Sequence, residues 1–162
     1  MYQFTDGALR NVWLENGYVE RDTRYGPAAS FDDLDGLVEA LAQALVNKPG
    51  KLSGAEFRYL RTHSQLTQKA LGKLLGYSEQ AIAKWEKGAT LPKAIDLVLR
   101  LLCKRGSADL PSVAEWLEVI AHRTDLRVIL SLGGNGWTFR FEPLDVLHPR
   151  AQPCVPECHA AS

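Results

Sequence analysis

The chain has 162 residues, is 46% hydrophobic and 23% charged, and balances 19 basic against 19 acidic side chains. That composition is ordinary for a globular protein and excludes a collagen, a coiled-coil rod and a wholly disordered chain. No apolar run approaches the ~20 residues of a membrane span, and a chain of zero net charge looks at first like a poor partner for nucleic acid.

Residues 1–50 hold four basic and eight acidic side chains, net −4. Asn11 to Leu14 and Tyr18 to Arg21 flank Glu15-Asn16-Gly17, and an Asn-Gly pair between β-favouring runs predicts a hairpin. Ser30 or Asp32 is then placed to open a helix whose inward face is Leu34, Leu37, Val38, Leu41, Ala42 and Leu45. This helix ends near Asn47, ahead of Pro49. Lys48-Pro49-Gly50 marks the end of an N-terminal extension, residues 1–50.

Residues 51–105 hold eleven basic and four acidic side chains, net +7. Ser53 and Glu56 have capping-box spacing, and Leu52 and Phe57 fall where a hydrophobic staple sits, so a helix runs to about Thr62. Thr67 caps a second helix bearing Ala70, Leu71, Leu74 and Leu75, which Gly76 closes. Ser78 caps a third, with Ala81, Ile82 and Trp85 inward and Gly88 at its end. Pro92 opens a fourth over Ile95, Val98, Leu99 and Leu102.

Residues 106–162 hold four basic and seven acidic side chains, net −3. A helix is expected from about Pro111 to His122. Arg127 to Leu132 and Trp137 to Phe141 flank Gly133-Gly134-Asn135-Gly136, a second hairpin. Residues 106–142 therefore form a C-terminal helix plus hairpin, a candidate dimerisation or partner surface because Trp116, Leu117, Ile120, Ile129, Leu130, Trp137 and Phe139 crowd it with apolar side chains. The proline-rich stretch 143–162 loses periodicity and reads as a weakly ordered tail. The expected fold class is mainly α with small β-hairpins (α+β), around a core of four to five helices.

Neutrality is thus a sum of two acidic flanks and a basic middle. The middle also has the layout that reads DNA: two short helices, Leu66 to Gly88, separated by a turn of about three residues. Gly76 can take the left-handed conformation of a tight turn. Ala70 is small where the helices are expected to cross. The exposed face of the helix 78–87 would enter a major groove. On chemistry alone, Gln80 suits adenine, Lys84 suits guanine and Glu79 could accept from cytosine. Gln68, Lys69, Ser78, Lys87, Thr90 and Lys93 lie at helix ends, where they can meet phosphates, with Arg58 and Arg61 as weaker candidates. Glu79 has a structural alternative, stabilising the start of its helix through the dipole.

The LTQ at 66–68, Gly76 and the WEKG at 85–88 resemble the phage-repressor-like (XRE) helix-turn-helix family over roughly residues 52–103. The resemblance implies a phosphate contact by Gln68 and base contacts by Glu79, Gln80 and Lys84. Within the family the likeness is to MqsA-type antitoxins and related regulators, which share a hairpin and helix ahead of the motif. This chain has no cysteine before Cys103, so the zinc site of the antitoxin N-terminal domain is not carried over.

No metal is expected. A CxxxCH at Cys154, Cys158 and His159 would need His148 or Cys103 as a fourth zinc ligand. No cofactor and no enzymatic constellation is evident, and the odd cysteine count favours a reducing, cytoplasmic compartment in a bacterial or phage setting. The expected function is a sequence-specific, dimeric transcriptional (auto)repressor on a partly palindromic double-stranded operator. The alternative is an antitoxin that also binds a protein toxin through the N-terminal hairpin and Asp32, Asp33, Asp35 and Glu39, and a third reading is a ligand sensor with a pocket between the C-terminal hairpin and helix.

Overall fold

A computed structural model describes residues 1–104 and 126–143. The helix expected at 111–122 and the stretch from 144 onward lie outside the described residues. The order is β1 (Tyr2–Gln3), a 3-10 turn (Asp6–Ala8), β2 (Val12–Leu14), β3 (Tyr18–Thr23), β4 (Gly26–Phe31), α1 (Leu34–Asn47), α2 (Gly54–His63), α3 (Gln68–Leu75), α4 (Glu79–Glu86), α5 (Lys93–Cys103), β5 (Leu126–Gly133) and β6 (Gly136–Pro143). The class is α+β, with five helices among the described residues.

The N-terminal hairpin is not where the Asn-Gly signal puts it. Strand β2 pairs with β1 and, in parallel, with β5, whereas β3 pairs with β4. The Asn16-Gly17 step is instead where the chain passes from one sheet to the other. Asn16 acts as an extra rung of the first sheet, donating to the Leu132 carbonyl at 3.0 Å and accepting from its N–H at 2.7 Å. Gly17 has φ 72°, and a Cβ there would lie 2.6 Å from the Trp137 ring. Its glycine thus serves a close approach rather than a hairpin turn. The C-terminal hairpin forms as expected, with Gly133 opposite Gly136.

The first sheet, in the order β1-β2-β5-β6, therefore joins the two ends of the chain. Val12, Leu14, Val128 and Leu130 on one face are fully buried in a cluster that continues through Leu37, Leu41 and Leu45 of α1 to Phe57, Leu60 and Leu99. Helix α1 starts later than expected: Asp33, in the left-handed region, is the cap and accepts from Gly36 N. Leu34 is consequently left half exposed. The apolar side chains of the hairpin are already used within the fold. Ile129 and Leu130 are fully buried, and Trp137 and Phe139 pack on the core. Trp116, Leu117 and Ile120, the other members of that apolar set, lie outside the described residues.

The turn at 48–50 is clasped rather than free. Arg100, on α5 and fully buried, donates to the carbonyls of Val46 (3.1 Å), Lys48 (2.6 Å) and Gly50 (2.6 Å). Its Nε meets Asp96 at 2.6 Å, and the other oxygen of Asp96 accepts from Leu52 N at 2.9 Å. Beside it, Lys48 Nζ is 2.7 Å from Glu56, which also accepts from Asn11 and Ser53 N and completes the expected capping box of α2. Burial works to raise the Glu56 pKa, but the Lys48 ammonium and these donors outweigh it and hold the carboxyl below its ordinary range.

Candidate nucleic-acid interface

Helices α3 and α4 have the caps their sequences dictate. Thr67 accepts from Ala70 N and Ser78 from Ala81 N. Gly76 at φ 75° ends α3, and Tyr77 N reaches back to the Gly72 carbonyl at 2.8 Å. Gly88 at φ 102° ends α4, with Ala89 N bonded to the Lys84 carbonyl, the Schellman closure that a glycine past the last turn allows. The connection Gly76-Tyr77-Ser78 has the expected length.

The close approach within the motif is between Gly72 and the connecting turn, not at Ala70. Ala70 is exposed, whereas a Cβ on buried Gly72 would sit 2.7 Å from the Tyr77 carbonyl oxygen. Gly54 plays the same part between α2 and α4, where a Cβ would lie 2.6 Å from the carbonyl oxygens of Trp85 and Glu86. Leu71, Ile82 and Trp85 are buried, and Trp85 meets the rings of Phe57 (6.3 Å) and Tyr77 (5.1 Å) edge-on. Leu74, expected inside, is 59% exposed, and Leu102 of α5 is similarly outward. Short helices turn a narrower stripe inward than the sequence pattern allots them.

A buried polar cluster fixes the pair further. Glu86 accepts from Arg61 Nε at 2.5 Å and from Gln68 Nε2 at 2.7 Å, while Arg61 Nη1 donates to the Leu66 carbonyl at 2.6 Å. The end of α4, the start of α3 and the last turn of α2 are thereby tied together. Arg61, a weaker phosphate candidate, is buried and held by this network. Gln68 is half-buried and held by Glu86, which leaves its second amide hydrogen outward-capable. No local spacing reveals the cluster, because its members lie 18 and 25 residues apart.

Glu79, Gln80 and Lys84 are all exposed on α4, as are Lys69, Ser78, Lys87, Thr90 and Lys93 around it. Tyr77, which the sequence pattern does not single out, stands exposed in the turn beside them. The charge contrast is sharper than the sequence count. Of the four acidic residues between 51 and 104, Glu56, Glu86 and Asp96 are ion-paired inside the fold. Glu79 is the one exposed carboxylate, against exposed Lys51, Arg58, Lys69, Lys73, Lys84, Lys87 and Lys93. Helix α4 is eight residues long, and an α-helix about 10–12 Å in diameter matches a major groove about 12 Å wide.

A cleft of about 570 Å³ is lined by residues 8–11, Lys48, the start of α2, the end of α4 and Leu126 at the start of β5. Among the described residues no group of side chains is arranged to hold a metal ion, and no helix is long and apolar enough to cross a membrane. Cys154, Cys158 and His159 lie outside the described residues.

Residues 54–116 match the family model of a helix-turn-helix domain. No curated protein and no solved structure matches the chain. The chain thus carries a helix-turn-helix domain in this stretch.

Proposed function

We propose that this helix-turn-helix domain makes the protein a sequence-specific transcriptional repressor of cytoplasmic double-stranded DNA, acting as a homodimer on a partly palindromic operator. The observation that carries the reading is the exposed face of α4, with Glu79, Gln80 and Lys84 inside a ring of cations and every other nearby carboxylate internally paired. Gln80 and Lys84 read base edges, and Glu79 accepts from cytosine. Gln68, Lys69, Ser78, Lys87, Thr90 and Lys93 hold the backbone. The Ser78 oxygen is engaged as a cap, yet its O–H remains a donor. If each subunit neutralises about five phosphates, log K falls with log salt at a slope near −4 to −5 per subunit. Two recognition helices about 34 Å apart double the discrimination that one supplies. Occupying an operator that overlaps a promoter excludes polymerase. This is the function of a binding protein, not an enzyme.

The antitoxin reading draws less support from the geometry. Of its four carboxylates, Asp33 caps α1 and Glu39 lies 3.3 Å from His63. The test is a binding assay over the protein's own upstream region at two salt concentrations, with wild type and Gln80→Ala/Lys84→Ala. Loss of two base contacts of about 1–3 kcal/mol each lowers affinity about thirtyfold or more. Affinity unchanged by the double substitution refutes the assignment of α4.

A further inference from the structure

The ribbon of β3 and β4 stands out from the body of the fold, most of its residues in solvent and Tyr25 at its tip 91% exposed. It is anchored at its base, where Tyr18 and Phe31 pack on Tyr2 at 5.2 and 5.6 Å and Phe31 packs on Phe4 at 5.5 Å. Its charge is one-sided. Strand β3 carries Glu20, Arg21 and Asp22, whereas β4, Gly26–Phe31, carries none. Natural edge strands are usually guarded by charge, proline or a cover, and β4 has only Pro27.

The hydrogen-bond alternation shows which groups are offered. Asp32 N donates to the Gly17 carbonyl at 2.9 Å, so with Tyr18 opposite Phe31 the bonded rungs are 19/30, 21/28 and 23/26. The backbone groups of residues 27, 29 and 31 therefore point away from β3. Among the described residues no strand pairs with that edge.

We propose that β4 pairs antiparallel with β4 of a second copy about a two-fold axis at Ala29, giving one four-stranded sheet with the two β4 strands at its centre. The proposal rests on the dimeric reading above and names its surface. In this register the two Ala29 residues exchange both N–H···O=C bonds, and each Phe31 N–H donates to the partner's Pro27 carbonyl. Pro27, which lacks an N–H, falls where it forfeits a single bond per copy. Ala28 lies opposite Ser30 and Pro27 opposite Phe31, with no like charges in contact. The same self-pairing through β3 is disfavoured, because an axis at Arg21 sets Arg21 against Arg21 and Glu20 against Asp22. None of the β4 residues belongs to the proposed DNA face, so dimer and operator use separate surfaces.

Sedimentation velocity on the full chain without DNA tests this. Wild type is expected to be a dimer at micromolar concentration. Ala29→Pro removes the two central donors while leaving the β3–β4 rungs intact, and raises the dimer Kd at least about tenfold. Ala28→Lys/Ser30→Lys sets lysines face to face across the axis and gives monomer without touching a backbone bond, whereas Ala28→Glu/Ser30→Lys sets opposite charges there and restores the dimer. Amide exchange at Ala29 and Phe31 is slowed with rising concentration in wild type and in Ala28→Glu/Ser30→Lys, but not in the double-lysine variant. A wild-type monomer at about 100 µM overturns the proposal and the dimeric reading together. A dimer of wild-type affinity in both Ala29→Pro and the double-lysine variant overturns the ribbon alone. The α4 assay reads DNA contact independently, so DNA binding lost on Gln80→Ala/Lys84→Ala stands whichever way the ribbon behaves.

Discussion

Replacing Arg100 by methionine should be among the most damaging single changes in this protein. The guanidinium is fully buried, pairs with an equally buried Asp96 at 2.6 Å and satisfies three carbonyls of the segment 46–50. Methionine keeps much of the apolar stem but leaves Asp96 as an uncompensated buried charge that still accepts from Leu52 N. Breaking one side of a buried ion pair costs about 3–5 kcal/mol, a large share of a stability of about 5–15 kcal/mol. For a chain of this length that corresponds to a fall in Tm of roughly 6–20 °C. The expected readout is a lower midpoint in urea and heat at pH 7, followed by circular dichroism. Asp96→Asn/Arg100→Met should recover part of the loss, because the group left behind is neutral and still accepts from Leu52 N. A loss under about 1 kcal/mol in the single variant, or a double variant no more stable than the single, refutes the clasp as a source of stability.

Glu56, whose folded pKa is lowered, contributes stability that is present above the ordinary carboxylate range and is lost as pH falls through the folded value. Wild type should therefore lose stability on acidification below about pH 4, and Glu56→Gln, less stable at pH 7, should show a flatter acid limb in the same titration. Gly72→Ala puts a methyl group into the Tyr77 carbonyl and should cost about 1–3 kcal/mol by denaturation. Because that shift re-aims α4, operator affinity in a gel-shift assay should fall even at temperatures where the variant is fully folded, whereas Ala70→Ser, on the exposed side of α3, should leave both unchanged.

What was legible in the sequence is local. Caps and closures of α2, α3 and α4 depend on residues within five positions of each other, so Ser53, Glu56, Thr67, Gly76, Ser78 and Gly88 declare them directly. The exposed face of α4 follows from its period, and so Gln80 and Lys84 could be named from the chain alone. What only the tertiary structure decided involves partners far apart in sequence. The Asn-Gly step reads as a hairpin because its neighbours favour strands, yet β2 finds a better partner in β5, more than a hundred residues on. Ala70 looked like the crossing residue because it is small and periodic, but the turn folds back onto Gly72. Neutral net charge hid a second fact that no count gives. Folding withdraws Glu56, Glu86 and Asp96 into ion pairs while leaving seven cations of the same segment in solvent, because a buried carboxylate must find a partner and a lysine on a surface need not.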